Sequence, residues 1–149
     1  MDTSALLKSV PTGLWIGGEE RQGTSMFSVL DPSDDEVLAT VADATADDAR
    51  DALDAACAVQ GEWAATPARK RGEILRSVFE TITARADDIA ALMTLEMGKV
   101  FAESKGEVTY GAEFFRWFAE EAVRIEGRYT PAPAGTGRIL VTKQAVGPC

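Results

Sequence analysis

The feature that most restricts this chain is a long helical stretch with too much apolar surface for one side. Over residues 101–125, Phe101, Val108, Phe115 and Ala122 recur at seven-residue spacing. Phe114, Trp117 and Phe118 widen that stripe into a broad face. A helix of this kind must lie against something large, so core packing is the expected role of its aromatic side chains.

The rest of the chain is read around that helix. Leu14-Trp15-Ile16 followed by Gly17-Gly18 is a hairpin signal. Phe27-Ser28-Val29-Leu30 and Val37-Leu38-Ala39-Thr40-Val41 are two further strand candidates. Between them lies Asp31-Pro32-Ser33-Asp34, strong turn chemistry because Pro presets φ and Asp or Ser can bond nearby backbone. From Thr45 the period becomes helical. Thr45 and Asp48 have capping-box spacing, Ala49, Leu53 and Ala56 share a face, and Gly61 is the expected stop. Thr66-Pro67 predicts a second helix with Thr as N-cap and Pro at its first position, its apolar stripe formed by Leu75, Val78, Phe79 and Ile82. A third helix is predicted over 86–97, burying Ile89, Leu92 and Met93 and closed by Gly98. Residues 130–137 read as an extended connection, and 139–146 as a final strand rich in β-branched residues. The fold class is therefore α/β and helix-rich: about four helices, short N-terminal strands and a C-terminal strand. At least one helix face has no obvious sheet to cover.

Composition narrows the chemistry. The net charge of −9 argues against nucleic acid and anionic membrane surfaces. There is no histidine, which removes Ser-His-Asp and Cys-His catalysis within these residues and any His-ligated zinc site. Cys57 and Cys149 form no CxxC pattern; Cys57 is expected to be a small buried group and Cys149 an ordinary terminal residue. Two sparse thiols suit a reducing cytoplasm. No basic start precedes an apolar run, so no signal peptide is expected. The paired carboxylates, among them Asp47-Asp48 and Asp87-Asp88, fall where helix starts or wet faces are expected, which favours capping over catalysis. Gly17-Gly18, Gly98-Lys99 and Gly135-Thr136-Gly137 complete neither GxGxxG nor GxxxxGK[ST]. No catalytic and no cofactor-binding residue is identified on these grounds.

Several stretches together carry a resemblance. Leu14-Trp15-Ile16-Gly17-Gly18-Glu19, Val29-Leu30-Asp31-Pro32, Thr94-Leu95-Glu96-Met97-Gly98-Lys99 and Ile139-Leu140-Val141-Thr142-Lys143-Gln144-Ala145-Val146-Gly147-Pro148 resemble the N-terminal part of aldehyde dehydrogenases. Ala102-Glu103-Ser104-Lys105-Gly106-Glu107-Val108 and Phe115-Arg116-Trp117-Phe118-Ala119-Glu120-Glu121-Ala122 resemble the succinate-semialdehyde dehydrogenase branch.

The resemblance implies the start of a Rossmann-type domain. Residues 1–137 would be the N-terminal part of an NAD(P)-binding domain, and 138–149 the start of a bridging strand, with the catalytic domain absent. It implies an oxidoreductase that turns succinate semialdehyde into succinate with NAD or NADP. A Cys thiolate would attack the aldehyde and a Glu would activate water. Neither has a counterpart here, nor does the Pro-Trp-Asn segment that would follow, so the residues are expected to be inactive alone and to bind no cofactor. It further implies that Tyr110 and Phe114 line an aldehyde access tunnel, and that Glu96 helps hold a monovalent cation with backbone near Val29 and Leu30. A homo-oligomer built through 139–146 is implied as well. The competing reading from the residues alone is a non-catalytic helical protein-interaction module that uses the face from Phe101 to Ala122.

Overall fold

A computed structural model describes residues 3–149. The chain runs α1 (Thr3–Ser9), β1 (Leu14–Ile16), β2 (Glu19–Arg21), β3 (Ser25–Leu30), β4 (Val37–Asp43), α2 (Ala46–Ala65), α3 (Ala68–Ala84), α4 (Ala86–Met97) and α5 (Phe101–Glu121). A 3-10 turn (Ala122–Arg124) follows, then β5 (Arg128–Pro131) and β6 (Arg138–Val141). The strands form three separate two-stranded antiparallel sheets: β1 with β2, β3 with β4, and β5 with β6.

Local chemistry explains most boundaries. Gly17 and Gly18 both take positive φ, 64° and 85°, as a two-residue hairpin turn requires. Asp31 closes the β3–β4 loop: its carboxylate accepts from the Ser33 amide at 2.9 Å, and its own amide donates to the Glu36 carbonyl. At the start of α2 the Thr45 side chain accepts from the Asp48 amide, and the Asp48 carboxylate accepts from the Thr45 amide at 2.8 Å. This is the capping box that the spacing predicts. Gly98 ends α4 in the left-handed region at φ 69°. A Cβ at that position would stand 2.9 Å from Pro32 Cγ, so the β3–β4 turn rests on the corner between α4 and α5.

Four expectations about the elements need correction. Gly61 does not stop α2, which continues to Ala65; one glycine in a helix costs only about 1 kcal/mol. Thr66 is not an N-cap. It closes α2, its hydroxyl donating to the Glu62 carbonyl at 2.9 Å, while Pro67 occupies the N-cap of α3. The last strand is shorter than 139–146 and ends at Val141; its partner β5 begins before the region read as a connection. A short N-terminal helix, α1, joins the four long ones.

The packed centre lies where α5 crosses α3 and α4. It is built from small groups: Ala90, Ser104, Val108, Ala112 and Ala122 are buried. Gly72 of α3 is buried against α5 so closely that an added Cβ would meet the Ala119 carbonyl oxygen at 2.7 Å. Leu75, Val78, Phe79 and Ile82 are half-buried on the same side of α3, as their spacing predicts. The Phe79 ring is flanked by the guanidinium groups of Arg76 and Arg116, each 5.5 Å from its centroid.

The aromatic half of the α5 face does not enter this core. Phe114, Phe115, Trp117 and Phe118 are exposed, which corrects the expectation of internal packing. Helix α2 has no buried residue among the twenty, and Cys57 is exposed rather than buried because the β1–β2 hairpin touches α2 at Asp51 and Ala55 and leaves the Cys57 side open. The total accessible surface is 10799 Å², against ~7,400 Å² for a folded monomer of this mass. The excess is the surface that α2, the outer α5 face and the strand pairs leave open.

Candidate functional site

Tyr110, Phe114, Trp117 and Phe118 stand at relative positions 0, 4, 7 and 8 of α5, so helical geometry gathers them on one face. Together with Glu113 they line an open groove of ~340 Å³. Tyr110 and Phe114 meet edge to face, centroids 5.0 Å apart and planes at 86°, an arrangement the ring quadrupoles favour. Glu113 is paired with Arg116, and Arg116 in turn lies over Phe79. The groove is therefore apolar on its floor, with its one carboxylate already engaged. Trp117 and Phe118 belong to this face as fully as the two residues singled out from sequence; the widened apolar stripe already contained them.

Helix α5 is fixed against α4 at its N-terminal end. The Thr94 and Ser104 hydroxyls form a hydrogen bond of 3.0 Å, with Ser104 wholly buried. The Lys105 ammonium reaches Asp87 at 2.6 Å, and Lys99 pairs with Glu107.

Glu96 sits in the last turn of α4, well away from the aromatic groove in sequence, and its side chain is exposed at one wall of a separate small cavity of ~40 Å³. Val29 lines the same cavity; Leu30 does not. Glu96 and Thr12 supply the side-chain oxygens there, and the other lining side chains are aliphatic. Among the described residues no group of three or more His, Cys, Asp or Glu side chains is placed to hold a metal ion.

Two carboxyls are held below the usual aspartate range. Asp48 is lowered chiefly by its side-chain hydrogen bond with Thr45, and Asp31 by hydrogen bonding from Ser33. Both shifts arise in a cap or a turn, which explains them without catalysis. A dinucleotide needs a strand that leads through a glycine-rich turn into a helix N-terminus. The strand pairs here are antiparallel, and none of the described strands makes that connection.

With the fold and the groove described, the comparisons define the class. Residues 17–149 match the Aldehyde dehydrogenase family, and the chain belongs to that family. Over 113 residues it is 59% identical to the succinate-semialdehyde dehydrogenase of Paenarthrobacter nicotinovorans, covering 76% of this chain and 25% of that protein. It is 39% identical over 135 residues to a glutarate-semialdehyde dehydrogenase of Pseudomonas putida, covering 91% of this chain and 28% of the relative. The betaine aldehyde dehydrogenase of Staphylococcus aureus, solved in complex with NAD+, superposes with a TM-score of 0.84 at 29% identity, over 89% of this chain and 27% of that one. The chain thus spans about a quarter of the length of the curated relatives it matches. The mixed α/β architecture is that of the N-terminal part of these enzymes.

Proposed function

We propose that these residues do the work of the N-terminal part of an NAD(P)-dependent aldehyde dehydrogenase that oxidises succinate semialdehyde to succinate, and that the 149-residue chain alone catalyses nothing. The observation that carries this reading is the 59% identity to a succinate-semialdehyde dehydrogenase. The uncovered aromatic face of α5 supports it, since the missing cover is what the larger relatives could supply. In this reading Tyr110 and Phe114 line the path of the aldehyde. The Glu96 carboxylate would hold a monovalent cation with backbone near Val29 and Leu30. Residues 1–137 would belong with the nucleotide-binding domain, and 138–149 would begin an oligomerisation arm.

The test joins this chain to the remaining part of the Paenarthrobacter relative. The hybrid should reduce NADP or NAD with succinate semialdehyde at a higher kcat/KM than with glutarate semialdehyde. A preference for glutarate semialdehyde would refute the substrate assignment. The chain by itself should show no saturable NADP binding by calorimetry; binding there would refute the placing of the cofactor site outside these residues. A monodisperse monomer with one sharp unfolding transition would instead favour the protein-interaction module.

A further inference from the structure

Helix α5 turns two nearly opposite sides to its surroundings. Ser104, Val108 and Ala112 are buried on one side, and the half-buried Ala119 continues the same stripe. Tyr110, Phe114, Trp117 and Phe118 line the aromatic groove on the other. At ~100° per residue the two sets stand roughly 150° apart around the helix axis.

Helix α3 comes close on the buried side. Gly72 is itself buried, and a Cβ added there would stand 2.7 Å from the Ala119 carbonyl oxygen and 3.7 Å from the Ala122 Cβ. This contact joins two helices of one chain and does not depend on what covers the groove. The Ala119 carbonyl is helix backbone and cannot step aside by itself. A methyl at position 72 is therefore accommodated by the two helices parting, by about half an ångström, to reach an ordinary C–H···O approach of ~3.3 Å. Because α3 meets α5 on the side away from the groove, that parting advances the aromatic face.

We propose that Gly72 is a positioning residue for the aldehyde path. By letting α3 approach the Ala119 carbonyl it sets how far Tyr110 and Phe114 stand into the path, and so how wide an aldehyde passes. The inference rests on the reading that Tyr110 and Phe114 line that path, and it adds a determinant of substrate width that touches no substrate.

The test uses the hybrid of this chain with the remaining part of the Paenarthrobacter relative. 4-Carboxybenzaldehyde carries the aldehyde and carboxylate of succinate semialdehyde on a wide ring. Its competitive inhibition constant can be read whether or not it is oxidised. In Gly72→Ala that constant should rise roughly threefold or more relative to the KM for succinate semialdehyde. Lost stability alone would lower kcat per mole of protein and leave the ratio of the two constants unchanged. Gly61→Ala, at a helix position that meets nothing within 4 Å, should leave the ratio as it was. Ala122→Val crowds the same contact from the other side and should move the ratio in the same direction, which keeps the test decisive if Gly72→Ala fails to fold. Phe114→Leu, which trims the path itself, should lower the ratio. An unchanged ratio in Phe114→Leu would refute the placing of the path along α5, and the role of Gly72 with it. A lowered ratio in Phe114→Leu beside an unchanged one in Gly72→Ala, or in Ala122→Val where Gly72→Ala does not fold, would overturn the role of Gly72 alone. An equal rise in Gly61→Ala would overturn it too.

Discussion

The hydroxyls of Thr94 and Ser104 meet at 3.0 Å across the crossing of α4 and α5, and Ser104 is the most deeply buried polar side chain described. Each hydroxyl answers the other beside the buried Ala90, Val108 and Ala112. Ser104→Ala should lower stability by ~1 kcal/mol, because Thr94 loses its partner while half-buried. Adding Thr94→Val should recover part of that loss. Urea-unfolding midpoints of the two variants check this; a double variant weaker than the sum of the singles would refute it.

Two glycines on neighbouring helices should respond in opposite directions. Gly72→Ala drives a methyl into the Ala119 carbonyl, which has no room to yield, and should cost ~1–3 kcal/mol. Gly61→Ala on α2 meets nothing within 4 Å and should stabilise that helix by ~0.5–1 kcal/mol. Thermal melts of both variants provide the comparison.

The α2 cap should be acid-sensitive. The Asp48 carboxyl titrates lower in the folded chain than in the unfolded one, chiefly through its hydrogen bond with Thr45. A lowered folded value means that the stabilisation is complete above the unfolded aspartate range and fades as pH falls below about 4. Thr45→Ala should therefore reduce helicity at neutral pH and flatten its fall in acid. Helicity followed by circular dichroism from neutral to acid pH decides the point. Parallel curves for variant and parent would exclude the cap as the cause.

The outer face of α5 should make the isolated chain associate. Phe114 and Phe118 are about half exposed and sit one turn apart. Glu at both positions should lower the sedimentation-average mass and the binding of a hydrophobic dye, with helix content unchanged. Unchanged association would place the sticky surface elsewhere, on α2 or the open edge of β6.

Features set by a few adjacent residues were legible before any coordinates. Thr45 with Asp48, the Gly17-Gly18 turn and the left-handed Gly98 all act through bonds or torsions within three residues. The aromatic face of α5 was legible as a pattern, and so was its lack of a cover. Its burial was not, because burial depends on what stands opposite. Cys57 was misjudged for the same reason: helix periodicity cannot tell a covered face from a bare one. The extension of α2 past Gly61 escaped because the penalty of a single glycine is small beside the capping and propensity of twenty residues. Arg71 and Lys143 line one cavity although seventy-two positions separate them in sequence, and no local signal announces it.

Pro32 resting on Gly98 ties a surface hairpin to the elbow of the helical layer. The tip of a loop between two strands thus buttresses the corner from which α5 departs.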